Sequence, residues 1–362
     1  MSSFDVVQCC RKHAQKKINL NDRTHALAVL KAESHKRVES FLFEALFESS
    51  MGEIPSSSGW LFQYDEEDVP SHWFRLVTEK HPWRDDCDGA LLSLLRGREV
   101  EITRVFPSED GTKFLADRHR NEQWSDRKTL EEVLSGLVGR ATPKTNPRNY
   151  RSDSIDTDRR ARAIEATQKL FDGPSLSHLC AQRLLVNCHL WPWYRKQPMD
   201  IDSIIMSDDG LRFVEFKRKY PSRRGTFGID RHPHGMFIDW LNERGHPLLH
   251  VLLIDPLWDK NESPLHLLEK DSPTSEHALW LGIELRVDVF RQEGGLQTQG
   301  SDSGMFGGER DQRELDPEMA LLGEGVRPDR LTDYLKDPDQ LPIRNLLDYM
   351  QNCRQAARKQ FY

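Results

Sequence analysis

Apolar residues recur at helical spacing in several parts of the chain. This pattern predicts helices over residues 21–50, 129–137, 159–171, 175–188 and 234–244. Asn21 or Asp22 can cap the first of them, and Gly245 follows the last. One or two closing helices are expected over residues 331–362.

Shorter apolar segments predict strands. A hairpin is predicted from residues 100–106 and 113–116, which flank a Glu-Asp-Gly turn. Three further strands are predicted over residues 190–194, 199–206 and 211–217. The continuous apolar run LLHVLLI over residues 248–254 is typical of a buried central strand. The predicted order over residues 175–255 is therefore α-β-β-β-α-β.

Changes in composition divide the chain into five predicted parts. An N-terminal α+β domain for recognition or partner binding (1–140) and a polar, proline-containing linker (141–158) precede an α/β core (159–290). A flexible acidic loop rich in Gly, Ser and Gln (291–330) and a helical tail (331–362) follow it.

Composition narrows the class of protein. The 362 residues contain no run of about 18 apolar residues, so a membrane-spanning helix is not expected. The first residues lack the apolar segment of a secretory signal. None of the six cysteines forms a CxxC pair, so neither a zinc ribbon nor a dense disulfide framework is predicted. These features predict a cytoplasmic protein in a reducing compartment.

The net charge of −7 is unevenly distributed. Residues 261–340 hold 18 acidic and 8 basic side chains, whereas residues 212–231 hold seven basic and two acidic ones. Such a local basic stripe favours a polyanionic partner, and a solvated charged face is the alternative interpretation.

Acidic residues and a lysine flank the predicted turn at residues 207–210. Because residues two apart in a strand share a face, Asp200 and Asp202 should point one way, and Glu215 and Lys217 should do the same. A hairpin would make the two strands neighbours. Carboxylates gathered at one place suit Mg²⁺, which polarises a phosphoryl oxygen and acidifies a bound water, while a lysine stabilises charge on phosphorus. The pattern suits phosphodiester hydrolysis.

The segment Pro198-x-Asp200-x-Asp202, followed by Glu215-Phe216-Lys217, resembles the motif of the PD-(D/E)xK, or restriction-endonuclease-like, nuclease superfamily. The α-β-β-β-α-β order is similar to the core of that family, which has a mixed central sheet. The resemblance extends over residues 159–255, about a quarter of the chain.

The resemblance implies a Mg²⁺-dependent nuclease, with Mn²⁺ as a substitute, that cuts DNA and leaves 5′-phosphate ends. Asp202, Glu215 and the main-chain carbonyl of Phe216 would hold the metal, and Lys217 would be the catalytic lysine. Asp200 would be a further metal carboxylate, and the choice between the two aspartates stays open. Many members carry a glutamate on the first core helix. Here Gln182 is the nearest polar substitute.

The basic residues after the motif are the predicted contacts to nucleic acid. They are Arg218, Lys219, Arg223, Arg224, Arg231 and His232. His232 and His234 form an H-x-H pair that suits a transition metal or a phosphate, and a surface cluster at a helix start is the favoured interpretation.

The functional alternatives differ in chemistry. The first choice is a nuclease, an endodeoxyribonuclease above all, that acts in restriction, phage defence, mobile-element or repair pathways. DNA is favoured over RNA, no membrane is expected, and a homodimer or a partner protein is compatible with the sequence. The second is a non-catalytic nucleic-acid-binding or complex-assembly subunit on the same fold. The third is a plain interaction protein, which the acidic C-terminal half supports.

Overall fold

The computed structural model describes residues 5–52, 54–63, 71–95, 101–147, 156–194, 198–208, 210–219, 226–231, 234–254, 263–268, 278–287, 296–299, 309–315, 318–349 and 352. Contacts divide the chain into two compact units. Unit 1 comprises Met1–Val38 and Ser57–Ser203, and unit 2 comprises Glu39–Ser56 and Ile204–Tyr362.

The secondary structure is mixed, which confirms the α/β class. The described α-helices are α1 (Val6–Ala14), α2 (Arg23–Leu30), α3 (His35–Ser50), α4 (Asp88–Leu95), α5 (Leu130–Val138), α6 (Thr157–Leu170), α7 (Gly173–Leu184), α8 (Trp191–Tyr194), α9 (His234–Asn242) and α10 (Leu331–Lys336). A π-helix (Leu185–Leu190) joins α7 to α8, and two 3₁₀ turns lie at Pro264–Leu268 and Pro338–Gln340.

The described strands follow the same chain order. They are β1 (Ser56–Ser57), β2 (Trp60–Gln63), β3 (His72–Leu76), β4 (Glu101–Pro107), β5 (Phe114–Arg120), β6 (Gln123–Trp124), β7 (Lys128–Thr129), β8 (Met199–Ile201), β9 (Ser203–Ser207), β10 (Gly210–Lys219), β11 (Phe227–Asp230), β12 (Leu248–Ile254), β13 (Leu279–Leu285), β14 (Leu296–Gln299), β15 (Glu309–Leu315), β16 (Glu318–Glu324) and β17 (Ile343–Asn345).

Unit 1 is built on a sheet of order β6-β5-β4-β3-β2-β8, with β7 paired to β5. Strands β3 and β4 are parallel, and the predicted hairpin of β4 and β5 is confirmed. Aromatic rings pack side by side on one face: Trp73 contacts Phe62 at 4.8 Å and Trp60 at 5.8 Å between ring centroids. All three are fully buried, so this aromatic cluster is the centre of the unit 1 core.

Two buried ion pairs lie within unit 1. Arg183 Nε and Asn187 Nδ2 donate to Glu33 Oε1 at 2.9 and 2.7 Å. Arg75 Nε donates to Asp88 Oδ1 at 3.1 Å. Both pairs are almost fully buried, and removing one partner of such a pair strands the other charge, at a cost of about 3–5 kcal/mol.

Side-chain caps explain where several helices begin. Asp22 Oδ1 accepts a hydrogen bond from the main-chain N–H of Thr24 at 2.8 Å, and Thr129 and Glu132 form a capping box on α5. The single helix predicted over residues 21–50 is wrong, because α2 ends at Leu30 and α3 begins at His35. The buried carboxylate of Glu33 lies in this break, where it meets Arg183.

Unit 2 is built on a sheet of order β1-β9-β10-β12-β13-β16-β17. Strands β10 and β12 are parallel and are connected through β11 and α9, whereas β12–β13, β13–β16 and β16–β17 are antiparallel. The ring of Phe216 stacks on Phe47 and Trp280, at centroid distances of 5.2 and 5.4 Å. A side chain at Gly282 would collide with Tyr334, so a glycine is required on β13 beneath that ring.

The predicted strand over residues 199–206 is wrong as one element. Met199–Ile201 pairs with β2 in the sheet of unit 1, whereas Ser203–Ser207 is the neighbour of β10 in the sheet of unit 2. Asp202 lies between the two strands. The predicted strand over residues 190–194 is also wrong, because the π-helix and α8 occupy it.

Two C-terminal expectations and the domain boundaries also differ from the structure. The segment 291–330, expected as a flexible loop, contains β14, β15 and β16; β11, β15 and β14 form a small separate sheet. The tail contains α10 but also β17, which pairs with β16. The division between units falls at residues 203/204 rather than at the predicted linker 141–158, so α6 and α7 of the expected 159–290 core belong to unit 1.

A disulfide joins Cys10 to Cys188 within unit 1, across 178 residues of sequence. It was not expected from the cysteine spacing, because the two residues meet only through the packing of α1 on the π-helix. Cys9, Cys87 and Cys180 are buried and take part in no disulfide. In the part of the chain that the structure describes, no helix is long and apolar enough to cross a membrane.

Reduction of this disulfide should destabilise unit 1. The loop-entropy relation gives about 5 kcal/mol for a loop of this length, and strain or residual structure reduces that figure. We expect a reductant to lower the urea midpoint of the wild-type protein and to leave the midpoint of a Cys10→Ser/Cys188→Ser variant unchanged. An unchanged wild-type midpoint, with free thiols detected by mass spectrometry, would contradict a stabilising role.

Acid should destabilise unit 1 before its carboxylates titrate. Burial lowers the pKa of His13, His72 and His81 to about 3 and lowers that of His178 well below its ordinary value of 6.5. Below pH 6.5 the unfolded chain binds protons that the folded chain excludes, so stability falls as the pH drops from 6.5 towards 3. Each such histidine contributes up to about 1.4 kcal/mol per pH unit.

Urea unfolding at pH 7.5, 6.0 and 5.0 measures this dependence. A His72→Gln variant should show a shallower loss of stability on acidification than the wild type. The matched control is His25→Gln, because the His25 side chain is 42% exposed. Equal slopes in the wild type and in His72→Gln would show that His72 is not held neutral by burial.

Candidate functional site

Strand β10 carries Glu215, Lys217 and Lys219 on one face. The alternating residues Val214 and Phe216 point to the opposite face, where they are buried in the apolar core of unit 2. Helix α9 packs on the charged face, since its Phe237 ring meets that of Phe213 edge-on at 5.8 Å. The predicted face-sharing of Glu215 and Lys217 therefore places both charges at one end of α9.

Glu215 is the centre of this charged group. Lys217 Nζ lies 2.6 Å and His234 Nε2 lies 3.1 Å from the same carboxylate oxygen, Oε1. The side chain of Glu215 is only 3% exposed. Burial alone would raise the pKa of this carboxyl, but Lys217 and His234 lower it further than burial raises it, so Glu215 is ionised.

The second carboxylate oxygen of Glu215, Oε2, has different surroundings from Oε1. Oε2 is buried and has no hydrogen-bond partner among the described residues. A buried, ionised oxygen without a partner is costly unless a cation or a donor reaches it. Lys217, in contrast, is 34% exposed and connects this buried carboxylate with the protein surface.

A second histidine supports the main chain of Glu215. His250 lies opposite Glu215 in the parallel register of β10 and β12, and its Nδ1 is 3.1 Å from the carbonyl oxygen of Glu215. A carbonyl only accepts, so Nδ1 carries the hydrogen. Burial lowers the pKa of His250 to about 3, which keeps the ring neutral. His250 thus helps to fix the strand at Glu215.

The aspartates of the motif lie on unit 1 or at its boundary. Gln182 on α7 donates from Nε2 to both carboxylate oxygens of Asp200 on β8, at 2.8 and 2.9 Å. The structure therefore brings together two predicted site residues, Gln182 and Asp200. Asp202 follows β8 directly and is half-buried.

The predicted nucleic-acid contacts divide into three groups. Lys219 Nζ donates to the carbonyl oxygen of Gly228 at 2.9 Å, on the same strand face as Lys217. The guanidinium of Arg218 lies on the other face, 5.8 Å from the ring of Phe43. Arg231 pairs with Asp311 at 3.2 Å and is 48% exposed.

Arg223, Arg224 and His232 lie outside the described residues, and their roles stay predictions.

Sequence reasoning missed the histidines around Glu215. His234 was expected in a surface cluster, but its side chain is only 13% exposed and contacts Glu215. Its position as the first residue of the helix after the motif was the available signal. For His250, the signal was a single polar residue inside the apolar run of β12.

The residues of unit 2 fit a divalent cation that takes few protein ligands. No group of three or more His, Cys, Asp or Glu side chains that could hold a metal ion occurs within the described ranges. Mg²⁺ does not need one, because it is usually bound by one or two carboxylates together with waters and phosphate oxygens. Glu215 Oε2 belongs to a buried, ionised carboxylate and has no hydrogen-bond partner among the described residues, so it has the chemistry of such a ligand.

Comparison with known proteins gives no relative. No family model matches the chain, and no curated protein and no solved structure matches it.

Proposed function

We propose that the protein is a Mg²⁺-dependent nuclease that hydrolyses phosphodiester bonds of DNA and leaves 5′-phosphate ends. The observation that carries the proposal is the buried Glu215 carboxylate, which shares Oε1 between Lys217 and His234 and leaves Oε2 without a partner among the described residues.

The free-energy cost of burying an ionised carboxylate supports a functional role for Glu215. A buried ion pair contributes little net stability, and an apolar pair of the same shape would serve the fold as well or better. Carboxylates whose pKa is perturbed by burial together with a specific charged partner cluster at functional sites. Glu215 has both properties, and its partner Lys217 reaches the surface, where a substrate can meet it.

The local topology supports a restriction-endonuclease-like core. The parallel pair β10–β12, connected through α9, places the Glu-x-Lys strand beside a fully buried central strand. The Pro198-x-Asp200-x-Asp202 sequence completes the motif. The motif, rather than any measured distance, includes Asp202 and Asp200 in the proposed metal site.

The residues have distinct roles in this proposal. In unit 2, Glu215 Oε2 and the main-chain carbonyl of Phe216 would hold Mg²⁺. The resemblance to the nuclease superfamily implies Asp202 as a further ligand and Asp200 as an additional carboxylate. When bound, Mg²⁺ acidifies a water molecule and polarises the scissile phosphoryl group. Lys217 donates hydrogen bonds to the oxygens on which negative charge develops.

Substrate binding would depend on the basic residues near this strand. Lys219 lies on the same face as Lys217, and Arg231 is exposed at the end of β11. Contacts from such side chains to phosphates are independent of base sequence and weaken with salt. This charge supports a nucleic-acid substrate, and the resemblance to the nuclease superfamily favours DNA.

The rate at which point variants cleave nucleic acids tests the proposal. Supercoiled plasmid, linear duplex, single-stranded DNA and RNA are incubated with Mg²⁺, Mn²⁺ or a chelator. Lys217→Ala and Glu215→Gln should each lower the cleavage rate by about 10²–10³-fold, because each removes a group that acts on the reacting phosphate or its metal. Comparison of Asp200→Asn with Asp202→Asn identifies the main aspartate ligand.

Matched surface variants serve as controls. Lys169→Ala removes a lysine that is 71% exposed on α6, and Asp208→Asn removes an exposed aspartate in the turn before β10. Both should cut at the wild-type rate. Salt-sensitive binding of nucleic acid without cutting under any condition would favour the non-catalytic subunit, and the absence of both would favour a plain interaction protein.

The chemistry of the product ends is a separate test. Water attacks phosphorus, and the bond to the 3′ oxygen breaks, so the phosphate stays on the 5′ end and a 3′ hydroxyl forms. The products should be substrates for DNA ligase without prior treatment, and phosphatase should be needed before 5′ labelling by a kinase. Products with 3′-phosphate ends would contradict the proposed mechanism.

The cellular setting is part of the same proposal. We place the enzyme in the cytoplasm, in restriction, defence, mobile-element or repair pathways, acting as a homodimer or with a partner protein where both strands are cut. Disulfides are rare in the cytoplasm. This location therefore requires that unit 1 stays folded when the Cys10–Cys188 bond is reduced.

A further inference from the structure

His234 is a polar group, only 13% exposed, that the proposed reaction does not use. It is the first residue of α9, and the packing of Phe237 against Phe213 holds this helix on the charged face of β10. Its ring nitrogen Nε2 lies 3.1 Å from Glu215 Oε1. An ionised carboxylate has no hydrogen to donate, so Nε2 is the donor in this contact.

Lys217 shares that oxygen, but in the proposed reaction it must also engage the substrate. In the structure its ammonium is 2.6 Å from Oε1. To stabilise negative charge on a phosphate, the ammonium must turn its donors towards the substrate, and its flexible four-carbon stem allows this movement. The closer of the two contacts to Glu215 is then shared with the substrate or lost. His234, on a short and rigid side chain, is the partner that stays.

We propose that His234 is a positioning residue that holds Glu215 through Oε1, so that Oε2 remains directed to a divalent cation when Lys217 engages the substrate. The inference rests on the proposed nuclease function. It assigns different tasks to the two carboxylate oxygens of Glu215. Oε1 accepts hydrogen bonds from side chains of the protein, and Oε2 faces the divalent cation.

Three substitutions of His234 separate a positioning role from a general structural one. In His234→Gln the amide nitrogen occupies the place of the histidine Nε2, so the donor to Oε1 is kept. In His234→Asn the amide nitrogen corresponds to Nδ1 and falls short of Oε1. His234→Ala removes the donor completely. The Gln and Asn variants carry the same amide group, so the reach of the donor is the property that distinguishes them.

A matched histidine elsewhere in unit 2 provides the control. His246 lies after α9, and its Nδ1 contacts the carbonyl oxygen of Leu211 at 3.1 Å. His246→Ala therefore removes a histidine that supports the same strand at a different residue. Circular dichroism and thermal unfolding of all four variants establish that they are folded.

The first readout is Mn²⁺ affinity of the full-length protein without nucleic acid, measured by electron paramagnetic resonance. Loss of a residue that orients a metal ligand weakens metal binding by about 10–100-fold. We expect this loss in His234→Ala and His234→Asn, most of the wild-type affinity in His234→Gln, and wild-type affinity in His246→Ala.

The second readout is the cleavage rate at saturating Mg²⁺. His234→Ala should lower kcat and leave KM for DNA unchanged, because the residue acts through Glu215 and not on the substrate. The inference is overturned if His234→Ala binds Mn²⁺ and cuts like the wild type, or if His234→Gln is as impaired as His234→Asn. A wild-type protein that neither binds Mn²⁺ nor cuts would instead refute the proposed function itself.

Discussion

The burial of one ionised carboxylate, that of Glu215, is the constraint around which unit 2 is arranged. The other face of the strand buries Val214 and Phe216 in the apolar core, and Phe216 stacks on both Phe47 and Trp280. A charge in such surroundings is tolerated only with close partners. Lys217 supplies one from the same strand, and His234 supplies another from the start of α9.

The same constraint explains why β12 contains a histidine. The parallel register of β10 and β12 places His250 beside Glu215, and its hydrogen bond to the carbonyl of Glu215 fixes the main chain there. An aliphatic residue at this position would suit the apolar strand better. The polar residues of the site therefore come from three elements that meet at Glu215, and the carboxylate oxygen Oε2 has no hydrogen-bond partner among the described residues.

Much of the local structure follows from the sequence because it is decided locally. The apolar run of β12, the hairpin of β4 and β5, and helices α6 and α9 have patterns that neighbouring residues determine. The strand predicted over residues 190–194 is wrong because a short aromatic run suits a helix and a strand equally. The prediction of one strand over residues 199–206 is wrong because the alternation of apolar and polar residues does not show where a strand ends. One strand ends at Ile201, and another begins at Ser203 in a different sheet.

The candidate site also contains contacts that the sequence predicts and contacts that depend on the tertiary fold. Glu215 and Lys217 could be paired from their spacing alone, because two residues in one strand share a face. His234 and His250 could not be assigned, since their contacts with Glu215 depend on how α9 and β12 pack against β10. The disulfide of Cys10 and Cys188 required knowledge of the tertiary fold for the same reason, given their sequence separation of 178.

The most direct test of the central claim is a Mn²⁺ titration of the wild-type protein and of Glu215→Gln, followed by electron paramagnetic resonance. The substitution keeps the shape of the side chain and removes its charge. If the buried carboxylate is a metal ligand, the wild type binds Mn²⁺ and Glu215→Gln loses at least about tenfold in affinity. Equal binding by the two proteins, or no binding by the wild type, would contradict a metal-dependent site at Glu215.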